Sequence, residues 1–108
     1  MLKYRGFNKY KNIRTCIDGI MFSSKKEGEY YCKLKILKLA KEIKDFRIQV
    51  KYPIIINKAL VCNYISDFNV VLNDGSEEVV DVKGVKTPIY LLKKKLMKAV
   101  YNIDIIEK

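Results

Sequence analysis

Asp67, Asp81 and Lys83 are the residues of this chain best suited to chemistry, all within the stretch NYISDFNVVLNDGSEEVVDVKG at residues 63–84. Val, Ile, Phe and Tyr dominate the runs that carry the two acids, and burying an unpaired charge in such a run is costly. If the carboxylates converge, they repel each other unless a cation joins them. Ligands that are all oxygen suit Mg²⁺ or Mn²⁺. A lysine beside them can stabilise developing negative charge or orient a water. This is a constellation for metal-assisted hydrolysis of a phosphodiester. The plainer reading is a hairpin with solvated charges on its outer face, and spacing alone does not separate the two.

Convergence depends on the turn at Asn73-Asp74-Gly75-Ser76, which separates two strand-like runs. A two-residue loop at Asp74-Gly75 places the two aspartates on opposite faces. A three-residue loop with Gly75 in the left-handed position of a bulge pairs Leu72 with Ser76 and sets Asp67 opposite Asp81. The second register collects Phe68, Val70, Leu72, Val80 and Val82 on one face, with Lys83 following Asp81 on the other. A slip of one residue turns every side chain to the wrong face, so the apolar pattern selects the three-residue loop.

An acid on one strand followed by Asp-x-Lys on the next resembles the PD-(D/E)XK nuclease superfamily. More narrowly, residues 13–108 resemble small phage and prophage proteins of that superfamily. The matching parts are Asp18-Gly19-Ile20-x-Phe22-x-Ser24-Lys25-Lys26-Glu27, then Tyr64-Ile65-x-Asp67-Phe68, then Asp81-Val82-Lys83-Gly84 with Lys86-Thr87 after it. The ordered set Glu27, Asp67, Asp81, Lys83 is far more specific than Asp-x-Lys alone. Ser66 stands where the superfamily carries Pro. The resemblance implies a restriction-endonuclease-like α/β core and DNA as substrate. It implies a divalent metal, Mg²⁺ or Mn²⁺, on Asp67, Asp81 and the Val82 carbonyl. Glu27 would assist there, and Lys83 would position the attacking water. Small nucleases of this kind often form homodimers to cut two strands, and a phage-encoded one would work in the bacterial cytoplasm.

Composition narrows the alternatives. At 108 residues the chain is one domain with a modest core. Its 22 Lys+Arg against 12 Asp+Glu leave +10, which points to a polyanion, nucleic acid first with an anionic membrane surface as the rival, or else to solubility alone. No apolar run has the length of a transmembrane span, and no signal peptide is visible, so no membrane partner is expected. The absence of histidine excludes His bases and His-based nucleophile systems. Cys16, Cys32 and Cys62 are odd in number and far apart, and read as buried thiols of a reducing compartment.

The remaining elements must position these groups. Residues 1–12 are basic and aromatic and read as a flexible arm ahead of a single nuclease-like domain at 13–108. Residues 14–22 read as a short strand pair turning at Asp18-Gly19. Residues 23–44 read as the first helix, capped by Ser24, with Glu27 three residues on. Glu27 is either half of a capping box or the head of the face Glu27, Tyr31, Leu34 that points at the aspartates. Cys32, Ile36, Leu39, Ala40 and Ile43 form a second apolar face, compatible with a homodimer. Residues 46–56 alternate as one half-buried strand, on which Gln49 either reaches a phosphate or the metal water or is plainly exposed. Thr87-Pro88 starts a second helix with Ile89, Leu92, Leu96 and Ala99 as its buried stripe. Lys86, Lys93, Lys94, Lys95 and Lys98 form a basic ridge for phosphate contact. Residues 101–106 read as a last strand.

The expected architecture is therefore a small mixed central sheet flanked by helices. The expected activity is Mg²⁺-dependent DNA endonuclease; branched junctions, flaps, nicked duplex and single strands all suit it as substrates. The alternatives are a non-catalytic DNA-binding module on the same scaffold and a phage regulatory protein that binds other proteins.

Overall fold

A computed structural model describes residues 14–108; the expected arm at 1–12 lies outside them. The elements run β1 (Thr15–Ile17), β2 (Ile20–Phe22), α1 (Lys25–Leu39), β3 (Asp45–Ile48), β4 (Lys51–Ile56), β5 (Ala59–Ile65), β6 (Phe68–Val71), β7 (Glu77–Asp81), α2 (Pro88–Tyr101) and β8 (Ile106–Glu107). The central sheet has the order β3-β6-β7-β8. It is mixed, because β8 joins β7 in parallel while the other pairs are antiparallel. Two further two-stranded sheets, β1-β2 and β4-β5, flank it.

The two faces of the central sheet feed two cores. Phe68, Val70, Val80 and Val82 point to one face and pack with Phe22, Tyr31 and Leu34, which brings α1 and β2 over that side. Val79 points to the other and packs with Ile54, Tyr64, Tyr90 and Met97, which brings α2 and the β4-β5 pair over it. This α/β layering follows from the alternation of β6 and β7: one face is largely apolar, with Phe68, Val70 and Val80, while the other sets Val71 and Val79 among Asn69, Glu77 and Asp81. The β6-β7 register pairs Phe68 with Val80 and Val71 with Glu77. The loop between them holds Gly75 at φ +91, with Leu72 N–H donating to the Ser76 carbonyl at 2.8 Å. The three-residue bulged loop and its apolar face are thus as expected from sequence.

Several elements differ from expectation. The first helix ends at Leu39, five residues early, because Lys41 takes a left-handed conformation. Ile43 therefore leaves the helix and is buried in the core, while Cys32, Ile36, Leu39 and Ala40 are exposed. Residues 46–56 are two strands in different sheets, not one, and residues 63–72 are likewise divided between β5 and β6. A tight turn at Asn57 and Lys58, both at positive φ, makes β4-β5 a hairpin in its own right. On α2 the buried residues are Tyr90 and Met97; Ile89, Leu92 and Ala99 are exposed and Leu96 is half-buried. Tyr101 closes that helix, Asn102 caps it in the left-handed region, and the last strand begins only at Ile106. Cys16 and Cys32 are exposed and Cys62 is half-buried, so the thiols are not core residues.

Candidate active site

The two divided strands break at the same level, and Asp67 sits at the break. Gln49, at φ +51, ends β3, and Ser66-Asp67 separates β5 from β6. Three bonds stitch the break: Gln49 N–H to the Asp67 carbonyl at 3.0 Å, Ser66 N–H to the Val50 carbonyl at 2.9 Å, and Val50 N–H to Ser66 Oγ at 3.3 Å. Beneath them a polar chain runs from buried Ser66 and Asn69 out to half-buried Tyr52 and exposed Glu77. Ser66 Oγ donates to Asn69 Oδ1 at 2.7 Å, and Asn69 Nδ2 donates to Tyr52 Oη at 2.6 Å and Glu77 Oε2 at 2.8 Å. Buried polar groups are satisfied in this way or not tolerated, so the network fixes where the strand bends.

The Asp67 carboxylate accepts the Val82 N–H through Oδ2 at 2.8 Å. Burial, the adjoining Asp81 carboxyl and Glu27 push its pKa up to about 8, with burial the largest cause. Asp81 is 2 % exposed. Its Oδ2 accepts a 2.5 Å hydrogen bond from Tyr64. Its Oδ1 is buried with no aligned hydrogen bond, although the Lys83 ammonium stands 3.3 Å away as an ion-pair partner. Lys83 Nζ in turn lies 4.3 Å from the centre of the Tyr90 ring, a cation–π arrangement. Burial, with Asp81 next, drives the Tyr64 phenol far above its ordinary pKa, so it remains a donor throughout the physiological range.

Glu27 is brought to the same place by α1. The helix sits close on β1: a Cβ on Gly28 would meet Ile17 Cδ1 at 2.9 Å. Ser24 Oγ caps the Glu27 N–H at 3.1 Å, and the Glu27 carboxylate accepts from the Ser23 hydroxyl. Glu27 is buried and lines a hollow of about 550 Å³ with Ser23, Gln49 and Asp67. A second hollow, of about 260 Å³, lies on the other side of Asp67 and holds Asp81, Lys83, Thr87 and Lys93. Glu27, Gln49, Asp67, Asp81, Lys83 and Lys93 therefore share one surface. Val82 follows Asp81 with its side chain in the core.

The basic ridge is divided. Lys93 faces the second hollow. Lys86 and Lys94 are drawn to Glu107, at 2.9 and 3.2 Å, and Lys98 pairs with Asp104 at 2.9 Å. Glu107 also accepts from Tyr90 Oη at 2.6 Å, and this bond, with Lys86 and Lys94, holds its pKa down at about 2. Sequence reasoning gave no role to Tyr64, Tyr90 or Glu107. The break at Ser66-Asp67 resets the strand alternation and turns Tyr64 towards Asp81, and no local turn residue announces it.

The chemistry of the donor set suits a hard divalent cation. Asp67 and Asp81 offer only oxygen, Glu27 adds a third carboxylate nearby, and Asp81 Oδ1 has an unfilled acceptor site. Among the described residues, no group of three or more His, Cys, Asp or Glu stands ready assembled around one point. Two carboxylates are in place, and any third ligand must come from the Val82 carbonyl, from Glu27 or from water.

Residues 7–105 match the family model DUF1064, a protein of unknown function, and the chain belongs to that family. No curated protein and no solved structure matches it.

Proposed function

We propose that this protein is a divalent-metal-dependent DNA endonuclease with a restriction-endonuclease-like core, using Mg²⁺ or Mn²⁺. One observation carries the reading: Asp67 and Asp81 converge at a strand break, with the Asp81 oxygen left free by Tyr64 facing Lys83. A structural ion pair would be expected to satisfy that oxygen and to hold one acid, not two.

Asp67 and Asp81, with the Val82 carbonyl, would hold the cation, which supplies charge neutralisation at the scissile phosphate and a more acidic water. Tyr64 holds Asp81 in one rotamer by its bond to Oδ2. Val82 N–H does the same for Asp67. Lys83 keeps its ammonium between Asp81 and the Tyr90 ring, where it can orient the attacking water and stabilise the charge that grows on the phosphate. Glu27, fixed by Ser23, can accept a proton from that water or hold a second one in place. Gln49 and Lys93 flank the carboxylates on the two sides and contact the DNA strand.

A second reading, a DNA-binding module without catalysis, is favoured by the Lys83–Asp81 pair itself, since Lys83 already supplies a counter-charge. The two separate in one experiment. Purified protein is incubated with linear and branched DNA, with and without Mg²⁺. The nuclease reading expects cleavage only with metal, and a loss of several orders of magnitude in Asp81→Asn. Wild-type protein that binds DNA but cuts none, and that takes up no Mg²⁺ or Mn²⁺ by calorimetry, leaves the binding module standing.

A further inference from the structure

The site carries aliphatic side chains that phosphodiester chemistry does not need. Ile65 and Ile89 are 55 % and 67 % exposed, and both line the hollow that holds Asp67, Asp81 and Lys83. Ile65 also lines the hollow on the far side of Asp67, together with Met21, itself half exposed. The three form an apolar ridge alongside the carboxylates. Both hollows also hold cations beside the acids: Arg14 and Lys51 in one, Lys83 and Lys93 in the other.

An exposed aliphatic ridge with cations nearby suits a ligand that is apolar in its middle and anionic along its edge. Intact duplex offers phosphates and hydrated groove edges there, while its base faces are stacked away. A single strand, or a duplex opened at a junction or gap, offers both phosphates and bare base faces, against which side chains of a binding groove can pack. Asn63 and Thr87 in the smaller hollow add hydrogen-bonding groups for a base edge. The net charge of +10 makes a second copy of this chain a poor occupant, since two such molecules repel each other.

We propose that Met21, Ile65 and Ile89 receive the faces of unpaired bases, so that this groove takes single-stranded or locally unpaired DNA in preference to intact duplex. The proposal rests on the reading of the site as one for nucleic acid, and it goes further by fixing the strand state of the substrate.

The test reads binding and needs no turnover. Fluorescence anisotropy of the full chain is measured in chelator with a labelled single strand and with the blunt duplex of the same sequence, at one salt concentration. The single strand should bind at least about tenfold tighter. Ile65→Ala and Ile89→Ala should each weaken it about five- to tenfold and leave duplex affinity within about twofold; both positions are exposed, so the fold is retained. Lys93→Ala should weaken both substrates alike. The proposal is overturned by duplex binding that equals or exceeds single-strand binding, or by absent binding of either. Isoleucine substitutions that leave single-strand binding untouched or weaken both substrates equally also overturn it. So does a fall in the sedimentation coefficient of the free Ile65→Ala protein, which would make the ridge a contact between copies. Because metal is left out, this result is independent of cleavage. Mg²⁺-dependent cutting without strand preference sinks the ridge alone, and strand preference without cutting sinks the nuclease alone.

Discussion

Tyr64 donates a 2.5 Å hydrogen bond to Asp81 Oδ2, and that bond leaves Asp81 Oδ1 as the oxygen facing Lys83. The donor comes from β5 and the acceptor from β7, strands that are not paired with each other. The orientation of the central carboxylate therefore depends on the strand break that brings Tyr64 round.

Tyr64→Phe removes only the hydroxyl. It leaves Asp81 Oδ2 buried without a partner, at a cost of about 1–3 kcal/mol. Chemical denaturation should show a loss of that size in metal-free protein. Cleavage should fall as well, because the carboxylate is then free to turn. A variant as stable and as active as the wild type would show that the bond orients nothing.

Asp67 gives the metal-free protein a pH dependence of definite sign. Its pKa in the fold, about 8, is above the unfolded value of about 3.9. Between those limits the folded state holds a proton that the unfolded state has lost. Stability from this group is therefore full below about pH 4, falls as pH rises by at most about 1.4 kcal/mol per unit, and is gone above about pH 8. Asp67→Asn cannot titrate, yet its carbonyl can still accept from Val82. Thermal melts should show a flatter profile for the variant and a higher melting temperature than wild type at pH 8. Mg²⁺ affinity of the wild type should rise over the same window, with proton release on binding.

Glu107 restrains Lys86 and Lys94. Glu107→Gln should free both for phosphate, tighten DNA binding, and steepen its salt dependence by up to about one unit of log–log slope per new contact. Tyr90 can still donate to the amide oxygen, so its ring stays beneath Lys83. Weaker binding in this variant would place the DNA elsewhere.

Gln49 carries a left-handed backbone that a glycine adopts without strain. Gln49→Gly should leave stability unchanged or raise it by up to about 1 kcal/mol, while DNA affinity falls through loss of the side chain. Opposite signs in the melt and the binding curve would mark strain kept for function.

What was legible in the sequence was what local chemistry decides. Asn73-Asp74-Gly75 fixed the hairpin register, and with it the meeting of Asp67 and Asp81. Ser24 and Thr87 announced both helix starts, and the face Glu27, Tyr31, Leu34 is the buried one. What long-range contacts decide stayed hidden. Gln49 and Ser66 are ordinary strand residues; the break they make depends on Asn69, Tyr52 and Glu77, distant in sequence. On α2 the apolar pattern favoured Ile89 and Leu92, but Glu107 holds Tyr90 inward, and the helix turns that way.

The break at Gln49 and Ser66 also makes the molecule divisible. Residues 51–65 form a hairpin with its own turn at Asn57-Lys58; three hydrogen bonds between residues 49–50 and 66–67 close its base, and Tyr52 and Tyr64 tie it to Asn69 and Asp81 of the central sheet. Since the alternation restarts at the break, a two-residue rung can be added or removed at that turn without moving Asp67 off Asp81. The tip of the arm can be lengthened or shortened, and selection can change what that tip touches while Tyr64, at the base, keeps Asp81 in place.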